Sequence, residues 1–285
     1  MIAMDMMNDR FDMQAAPMRI GRVQLAVRDL SRMAGFYEDL LGLTRLAQAA
    51  DSVTLGAGER PLLELMGDSS LKPRDPRQAG LFHTAFLMPT RADLGAWLTH
   101  AMERRAPLQG ASDHRVSEAL YLADPEGNGI EVYADRAPSA WHGASGEIVM
   151  TTEPLDLPAL TAAATGGWQG FAGIIGHVHL QVGDIAQAEA FYGGTLGFDV
   201  AARYPGASFF GSGGYHHQLA GNVWNSRGAG PRPEGRAGLR SVEILLRDPA
   251  TLDRIAQAAA AEPQDGTLQL RDPWDTRLTL TAQGL

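Results

Sequence analysis

A chain of 285 residues is long enough for two domains, or for one large duplicated domain, with a sizeable apolar core. The absence of cysteine excludes disulfides, thiolate zinc sites and cysteine nucleophiles, so a bound metal must take its ligands from histidine, carboxylate, tyrosine, backbone or water. The formal net charge of −9, without any cluster of lysine or arginine, argues against a broad nucleic-acid surface.

The first segment of the chain, residues 1–17, is polar and rich in methionine. It has no apolar stretch of the kind that forms a signal peptide or a membrane span. We therefore expect a flexible N-terminal arm on a cytoplasmic protein that does not interact with membranes.

The first predicted module, residues 18–68, begins with a strand and continues into a helix. Apolar residues alternate from Val23 to Val27, which is typical of a strand with one buried face. Asp29 then offers an N-cap for an amphipathic helix, and Gly42 is a signal for its end. Two short strands separated by Gly turns complete the module: 52–55 and 61–65.

The second predicted module, residues 79–135, repeats this order of a strand, a helix and further strands. Its first strand is 80–88 and its helix covers 91–105. Two strands, 119–122 and 129–133, flank a turn with the sequence Asp-Pro-Glu-Gly-Asn. The following stretch, up to residue 172, is rich in Pro, Thr, Ala and Gly, and we interpret residues 136–172 as a connector with room for one short helix.

The second half of the chain repeats the first. The segment IGRVQLAVRD at Ile20–Asp29 aligns with IGHVHLQVGD at Ile175–Asp184. The match continues at the same offset, without a gap, through the Phe-Tyr and Leu-Gly pairs that follow each segment. Such agreement at fixed positions indicates an internal duplication.

The duplication defines a third and a fourth module, residues 173–222 and 237–285. In the third, a strand that ends at Asp184 and a helix that ends at Gly197 precede two strands: 207–210 and 215–219. In the fourth we predict a strand, a helix and a pair of strands: 238–246, 249–261 and 268–280. The expected domains are residues 18–135, with modules one and two, and residues 173–285, with modules three and four.

Four βαβββ modules in this order make the chain resemble the vicinal oxygen chelate superfamily. That superfamily includes glyoxalase I, the bleomycin-resistance proteins and the type I extradiol dioxygenases. Among these, the chain looks most like the two-domain proteins related to catechol 2,3-dioxygenase. The resemblance covers nearly everything after residue 17 and implies an α+β fold, with modules paired into two cup-shaped mixed sheets and a divalent metal in a cup. Fold alone does not choose between the activities of the superfamily, so the site residues must.

The resemblance implies metal ligands near the start of a module's first strand and on its last strand. His83 and Glu131 occupy these positions in module two, and His177 occupies the first of them in module three. The equivalent positions in modules one and four have largely lost the ligand set: Arg22, Glu64, Ser241 and Thr279. Two histidines and one carboxylate leave open coordination positions, as Fe(II) oxygenases need, and Mn(II) would suit the same ligands.

The resemblance also implies an acid–base group and a substrate-binding phenol. His217, with His216 beside it, matches the position of the histidine that assists ring opening in the family. A histidine suits that role because imidazole titrates near neutrality. Tyr121 precedes Glu131 by the spacing of the family's tyrosine, and His114 is the candidate for a further histidine upstream, although it lies closer to Tyr121 than in that pattern. An exposed histidine pair in a Gly-rich turn and core packing of Tyr121 are the alternatives.

The ligand set predicts how the modules pair. Pairing of sequence neighbours would place His83 and Glu131 in one cup and His177 in the other. The three residues meet only if module two faces module three, which leaves modules one and four to share an inert cup. This pairing could be made within one chain or across a dimer.

We therefore expect an extradiol dioxygenase that cleaves a small aromatic diol of the catechol type with O2. One alternative is a lyase or isomerase of the glyoxalase type, which needs a fuller ligand set and neither Tyr121 nor His217. The other is a metal-free binding protein of the bleomycin-resistance type. The sequence does not determine the ring substituents of the substrate, and it is compatible with either a monomer or a homo-oligomer.

Overall fold

Strands and helices alternate through residues 9–283, the part of the chain that the computed structural model describes. The helices are α1 (Leu30–Leu41), α2 (Arg91–Glu103), α3 (Leu157–Ala162), α4 (Ile185–Ala188) and α5 (Pro249–Ala259). The strands of the first half are β1 (Met18–Val27), β2 (Thr44–Gln48), β3 (Ser52–Ala57), β4 (Arg60–Gly67), β5 (Gly80–Leu87), β6 (Gly110–Asp113), β7 (Ser117–Ala123), β8 (Gly129–Asp135) and β9 (Glu153–Pro154). Those of the second half are β10 (Ile174–Gln181), β11 (Asp199–Tyr204), β12 (Ala207–Gly211), β13 (Leu219–Asn222), β14 (Gly238–Leu246), β15 (Thr267–Arg271) and β16 (Arg277–Ala282). None of the helices in residues 9–283 has the length and apolar character needed to cross a membrane.

Two mixed sheets form the fold, and each combines one module from either half of the chain. The seven-stranded sheet has the order β15-β16-β14-β1-β4-β3-β2 and contains modules one and four. The nine-stranded sheet has the order β11-β12-β13-β10-β5-β8-β7-β6-β9 and contains modules two and three, with β9 from the connector. These two curled sheets with few helices confirm the predicted α+β fold.

The central contact of the nine-stranded sheet is the antiparallel pairing of β10 with β5, in which His179 lies opposite His83. Strand β8 pairs with the other side of β5 in parallel. The predicted pairing of module two with module three is therefore confirmed, and it occurs within one chain. Each of the expected domains, residues 18–135 and 173–285, contributes strands to both sheets, so the sheets do not coincide with the two halves of the sequence.

Helix α1 begins and ends where the sequence predicts. The Asp29 side chain accepts a hydrogen bond from the Arg32 amide at 3.0 Å, and Gly42 follows the helix with a φ of 67°. One face of the helix packs on the seven-stranded sheet and includes Met33 and Leu41, both fully buried. Burial of side chains of this size contributes roughly 1.5–3 kcal/mol each, which fixes the helix on the sheet.

The equivalent helix of module three is irregular. Asp184 caps it through the Gln187 amide at 2.8 Å, as predicted, but α4 passes into a π-helical segment at Glu189–Thr195. Gly193 and Gly194 lie in that segment, and glycine gives up more backbone freedom in a regular helix than other residues do. The sequence predicts a regular α-helix here, whereas the structure has a wider, π-helical turn.

The predicted strand at 215–219 is wrong, because β13 begins only at Leu219. Residues before it form a turn in which Gly213 and Gly214 have φ of 69° and 84°. The Gln218 side chain accepts from the Ser212 amide at 2.7 Å and donates to the Ser212 carbonyl at 3.1 Å. These bonds replace strand pairing, so the two histidines at 216 and 217 lie on a pinned loop.

Part of the expected flexible arm is packed against the rest of the protein. Residues 1–8 lie outside the described residues, but Phe11 stacks at 4.9 Å, between ring centroids, on Tyr215. Met13 and Ala16 are buried in the same cluster, together with Trp141 of the connector. Residues 9–17 therefore differ from a flexible arm, because their apolar side chains cover the back of the loop that precedes β13. The connector itself contains a 3-10 turn at Pro138–Ala140, strand β9 and helix α3.

Candidate metal centre

Three side chains from neighbouring strands converge on the inner face of the nine-stranded sheet. His177 on β10 and Glu131 on β8 are both Cα partners of Ala85, one on each side of β5. His83 lies two residues before Ala85 and therefore points to the same face. Ala85 carries only a methyl group, so the space above it is left to the three longer side chains.

The three donor atoms lie close together and away from solvent. Glu131 Oε2 is 2.9 Å from His83 Nε2 and 3.2 Å from His177 Nε2, and the two Nε2 atoms are 3.2 Å apart. The side chains of His83, Glu131 and His177 are 8%, 4% and 2% exposed. Residues 9–283 contain this one group of three or more histidines and carboxylates arranged to hold a metal ion.

The geometry of these atoms fits one divalent ion. If both Nε2 atoms carried hydrogens, the two N–H groups would face each other and repel, whereas a metal is served by all three lone pairs. Donors bound cis to each other at about 2.0–2.2 Å from an ion lie about 3 Å apart. Two imidazole nitrogens and one carboxylate oxygen form a donor set that suits iron, manganese or zinc.

The electrostatics of the group favour an anionic Glu131 beside a neutral His177. Burial alone would raise the pKa of the Glu131 carboxyl, but His177 and His83 outweigh burial and hold that pKa well below its ordinary value. Burial lowers the pKa of His177 to about 4, against the opposing charge of Glu131. Within residues 9–283 the His177 Nδ1 atom is buried without a hydrogen-bond partner, so Nε2 is the atom of this ring that can serve a ligand.

His217 stands next to the three donors and is the first member of a chain of hydrogen bonds. Its ring centroid is 4.1 Å from that of His177, and its Nδ1 is 2.8 Å from His216 Nδ1. His216 Nε2 lies 2.9 Å from Asp135, which as a carboxylate can only accept. With His216 neutral, its Nδ1 must accept from His217 Nδ1–H, which leaves the His217 Nε2 lone pair free. Both histidines are buried, so the alternative of an exposed pair is not what the structure has.

Tyr121 and His114 form a second hydrogen-bonded pair on the other side of His83. The Tyr121 hydroxyl is 2.6 Å from His114 Nε2, and His114 Nδ1 is 2.6 Å from the Thr151 carbonyl. Because a carbonyl only accepts, a neutral His114 carries its hydrogen on Nδ1. Its Nε2 atom then accepts a hydrogen bond from the Tyr121 hydroxyl. Burial raises the pKa of Tyr121 well above its ordinary value, and the charge of Glu131 adds to the effect, so Tyr121 stays a neutral phenol.

A cavity of about 300 Å³ opens over the three donors and collects every residue that the sequence singled out except His216. One wall, from module two and the connector, contains Tyr121, His114 and small polar or apolar residues: Ser112, Val116, Ser117, Met150, Thr151 and Thr152. The other wall is mainly aromatic: Phe82, His179, Tyr204, Phe209, His217 and Trp224. The cavity therefore combines a polar group of candidate ligands with a mainly aromatic wall, a lining that suits an aromatic ring.

The family model described as the glyoxalase/bleomycin resistance protein/dioxygenase superfamily matches residues 19–132 and 174–269. The chain belongs to this superfamily. It is 38% identical over 267 residues, 89% of this chain and 93% of the relative, to the catechol-2,3-dioxygenase of Bacillus subtilis (strain 168). It is 32% identical over 124 residues, 41% of this chain and 63% of the relative, to biphenyl-2,3-diol 1,2-dioxygenase 3 of Rhodococcus globerulus.

A solved structure of the superfamily shares the fold across both halves of the chain. Glyoxalase I from Zea mays superposes with a TM-score of 0.57, covering 94% of each chain. The two proteins are 15% identical, so this likeness concerns the fold alone.

The duplicated modules of the superfamily also place a remnant of the site in the seven-stranded sheet. Glu64 pairs with Gln24 as Glu131 pairs with Ala85, and Arg22 lies two residues before Gln24 as His83 lies before Ala85. Arg22 Nη1 forms a salt bridge with Glu64 Oε2 at 2.9 Å. A guanidinium thus occupies the place that corresponds to the metal centre.

Sequence reasoning missed two polar residues of this superfamily member that the structure brings to the site. Asp135 anchors His216, and His179 lines the cavity beside His83. A signal for His179 was present, because His177 and His179 alternate on one strand and must share a face. Asp135 gave no such signal, since only the tertiary fold carries the end of β8 to the loop before β13.

Proposed function

We propose that this protein is an extradiol ring-cleaving dioxygenase that opens a catechol-type aromatic with O2. The observation that carries the proposal is the buried group of His83, Glu131 and His177 in a cavity with a largely aromatic lining. The 38% identity to a catechol-2,3-dioxygenase over most of both chains supports the same reaction.

Fe(II) is the proposed cofactor, with Mn(II) as the other ion that these ligands suit. His83 Nε2, His177 Nε2 and Glu131 Oε2 would hold it, which leaves the cavity side open. When bound, such an ion supplies Lewis acidity toward a catechol hydroxyl and the redox chemistry that couples the ring to O2.

Tyr121 and His114 are placed to receive one side of the diol. The Tyr121 hydroxyl donates a hydrogen bond to His114 Nε2 and keeps an oxygen lone pair that can accept from a substrate hydroxyl. His114 is held by the Thr151 carbonyl and fixes the direction of the phenol. The pair thereby orients the ring and provides a path for a proton that leaves the diol.

His217 is the acid–base group of the proposal. Burial, with His177 and His216 beside it, lowers the pKa of His217 well below the ordinary value, so the ring rests neutral with a free Nε2. A proton received at Nε2 can be followed by transfer of the Nδ1 proton to His216, whose Nε2–H faces Asp135. Asp135 and His216 are therefore positioning residues that fix the tautomer of His217, as a carboxylate does for the histidine of a catalytic triad.

The reaction is tested with the full-length chain loaded with Fe(II) without air and then given a panel of catechols with ¹⁸O2. Ring cleavage beside the diol adds both atoms of O2, so mass spectrometry should find the ring-opened product heavier by two ¹⁸O atoms. No oxygen uptake with any catechol would exclude the proposal. Turnover of a hemithioacetal would instead favour a glyoxalase-type enzyme, and failure to bind metal would favour a metal-free binding protein.

A further inference from the structure

His179 on β10 is a buried polar side chain of the cavity wall that has no role in the proposed chemistry. It follows His177 by two residues and therefore points into the same cavity. Its ring is 4.9 Å, between centroids, from that of His83, and it contacts Phe82, Phe209 and Trp224 at 5.0, 5.8 and 5.5 Å. A histidine on an otherwise aromatic wall, 4% exposed, calls for a hydrogen-bond role.

The bonds of Asn222 determine which nitrogen of His179 carries the hydrogen. The Trp224 amide donates to Asn222 Oδ1 at 3.2 Å, which assigns the other amide atom, Nδ2, to the side of His179. Asn222 Nδ2 is a donor and lies 3.0 Å from His179 Nε2, so Nε2 must accept with its lone pair. A neutral imidazole in that state carries its hydrogen on Nδ1.

The Nδ1–H group of His179 is the hydrogen-bond donor of this ring that is left for a ligand. Within residues 9–283 no acceptor pairs with Nδ1, and the atom is not sealed from solvent as His177 Nδ1 is. His179 lines the same cavity as His83, Glu131 and His177, so a ligand held in that cavity is the acceptor that this donor can reach. A polar hydrogen in an aromatic surrounding binds a suitable acceptor strongly, because little water competes there.

We infer that His179 is a substrate-contacting residue that donates from Nδ1 to an oxygen atom of the ligand held over His83, Glu131 and His177, and that Asn222 positions it. The inference rests on the proposed function, since it concerns the same cavity. The oxygen belongs either to the catechol or to O2, and both offer a lone pair. Asn222 acts through His179 and touches no reacting atom.

The test compares His179→Leu with His179→Asn, two side chains of nearly the same shape. The amide of Asn can place a donor close to the position of Nδ1, whereas Leu removes it. We expect His179→Leu to keep its metal but to lose roughly 10- to 100-fold in kcat/KM, the effect of a lost hydrogen bond to a charged or developing anionic oxygen. His179→Asn should recover most of that loss. Equal activity of the Leu variant and the wild type, or metal loss in the Leu variant, overturns the inference.

Gln24→Leu serves as the matched control. Gln24 occupies the position of the seven-stranded sheet that corresponds to His179 in the aligned repeats, and it should leave turnover and metal content unchanged. Saturation curves for catechol and for O2 then separate the two sources of the oxygen. A rise in KM for catechol assigns the bond to the diol, and a rise in KM for O2 alone assigns it to dioxygen. A fall in kcat with both KM values unchanged assigns the bond to an oxygen atom that becomes anionic only in the transition state.

The tautomer is read without turnover, from the nitrogen chemical shifts of ¹⁵N-histidine in the full-length chain loaded with diamagnetic zinc. We expect hydrogen on Nδ1 and a lone pair on Nε2 of His179 in the wild type, and the reverse in Asn222→Asp, because a carboxylate can only accept. Hydrogen on Nε2 in the wild type overturns the inference even if catechol is cleaved. If no catechol is cleaved but Nδ1 carries the hydrogen, the proposed function fails while the donor assignment stands.

Discussion

Each of the three donor residues is expected to be necessary for metal binding and dispensable for folding. Glu131→Ala removes the anionic donor, and His83→Ala removes a nitrogen, while the apolar core around the sheets is untouched. Both variants should lose the metal, measured by elemental analysis, with a circular dichroism spectrum like that of the wild type. The control is Glu64→Ala at the corresponding position of the seven-stranded sheet. Full metal occupancy in either site variant would contradict the assignment.

A second residue-scale prediction separates ring opening from metal binding. His217→Phe keeps an aromatic ring against Phe209 but removes the acid–base group, so metal content should stay normal while turnover falls by roughly 10²–10⁴. Asp135→Asn should also reduce turnover, because an amide can present a donor to His216 and reverse the tautomers along the chain. The measurement is single-turnover ring opening. A wild-type rate of ring opening in His217→Phe would exclude His217 as the acid–base group.

At this scale the sequence identifies the three candidate ligands, whose donor atoms the structure places within 3.2 Å of one another, but it identifies few of the residues around them. His83, Glu131 and His177 are identifiable because the repeat assigns each to a fixed strand position. The roles of Asn222 and Asp135 depend on contacts with residues far away in sequence, which no spacing rule contains. His114 contacts Tyr121 although their separation is shorter than in the family's pattern, because His114 lies in the turn between the paired strands β6 and β7 and Tyr121 lies on β7.

The loop before β13 is the element on which the acid–base group depends. Gln218 is fully buried and pairs with both the amide and the carbonyl of Ser212. Gln218→Leu keeps the volume but leaves the Ser212 amide unpaired and leaves the Ser212 carbonyl with only the Tyr215 amide as donor, so we expect a loss of roughly 1–3 kcal/mol in the free energy of unfolding. Urea denaturation measures this, and Gln187→Leu on the exposed side of α4 should change it by less than about 0.5 kcal/mol. A Gln218 variant as stable as the control would contradict the role of the loop bonds.

The same loop explains why element boundaries were predicted less well here than elsewhere. The run from Tyr215 to Leu219 has residues that strands tolerate, and periodicity favours a strand. Two glycines with positive φ and one buried glutamine side chain override that preference. Helix α1, whose caps are local in sequence, ends where the pattern predicts.

On the scale of the whole molecule, stability of the metal-free protein should fall with acidity. The pKa of His177 is lowered from 6.5 to about 4, and burial holds those of His179 and His217 well below the ordinary value. The unfolded chain therefore binds more protons than the folded protein between about pH 6.5 and 4, and the free energy of unfolding decreases as the pH falls through that window. His177 alone accounts for roughly 3 kcal/mol of this loss.

Urea denaturation of chelator-treated protein across that pH window measures the effect. His177→Leu should flatten the dependence, whereas His142→Ala, a change at an exposed histidine, should leave it as in the wild type. A His177 variant with the full wild-type dependence would rule out this source of acid sensitivity.

The pairing of modules within one chain gives a further prediction for the whole molecule. His83 and His177 meet in the same nine-stranded sheet of a single chain. A mixture of inactive His83→Ala and inactive His177→Ala, taken through unfolding and refolding to exchange any subunits, should therefore stay inactive. Recovered turnover would mean that the site is assembled between two chains.

The salt bridge between Arg22 and Glu64 bears on what the protein depends on from its environment. A positive charge that is covalently part of the chain cannot be removed by a chelator or lost when iron is scarce, and arginine does not deprotonate at physiological pH. In the seven-stranded sheet, the positive charge that balances Glu64 is therefore Arg22, which is part of the chain itself. If the proposed function is right, the nine-stranded sheet needs an ion from the environment, whereas the seven-stranded sheet already holds a positive charge at the corresponding position.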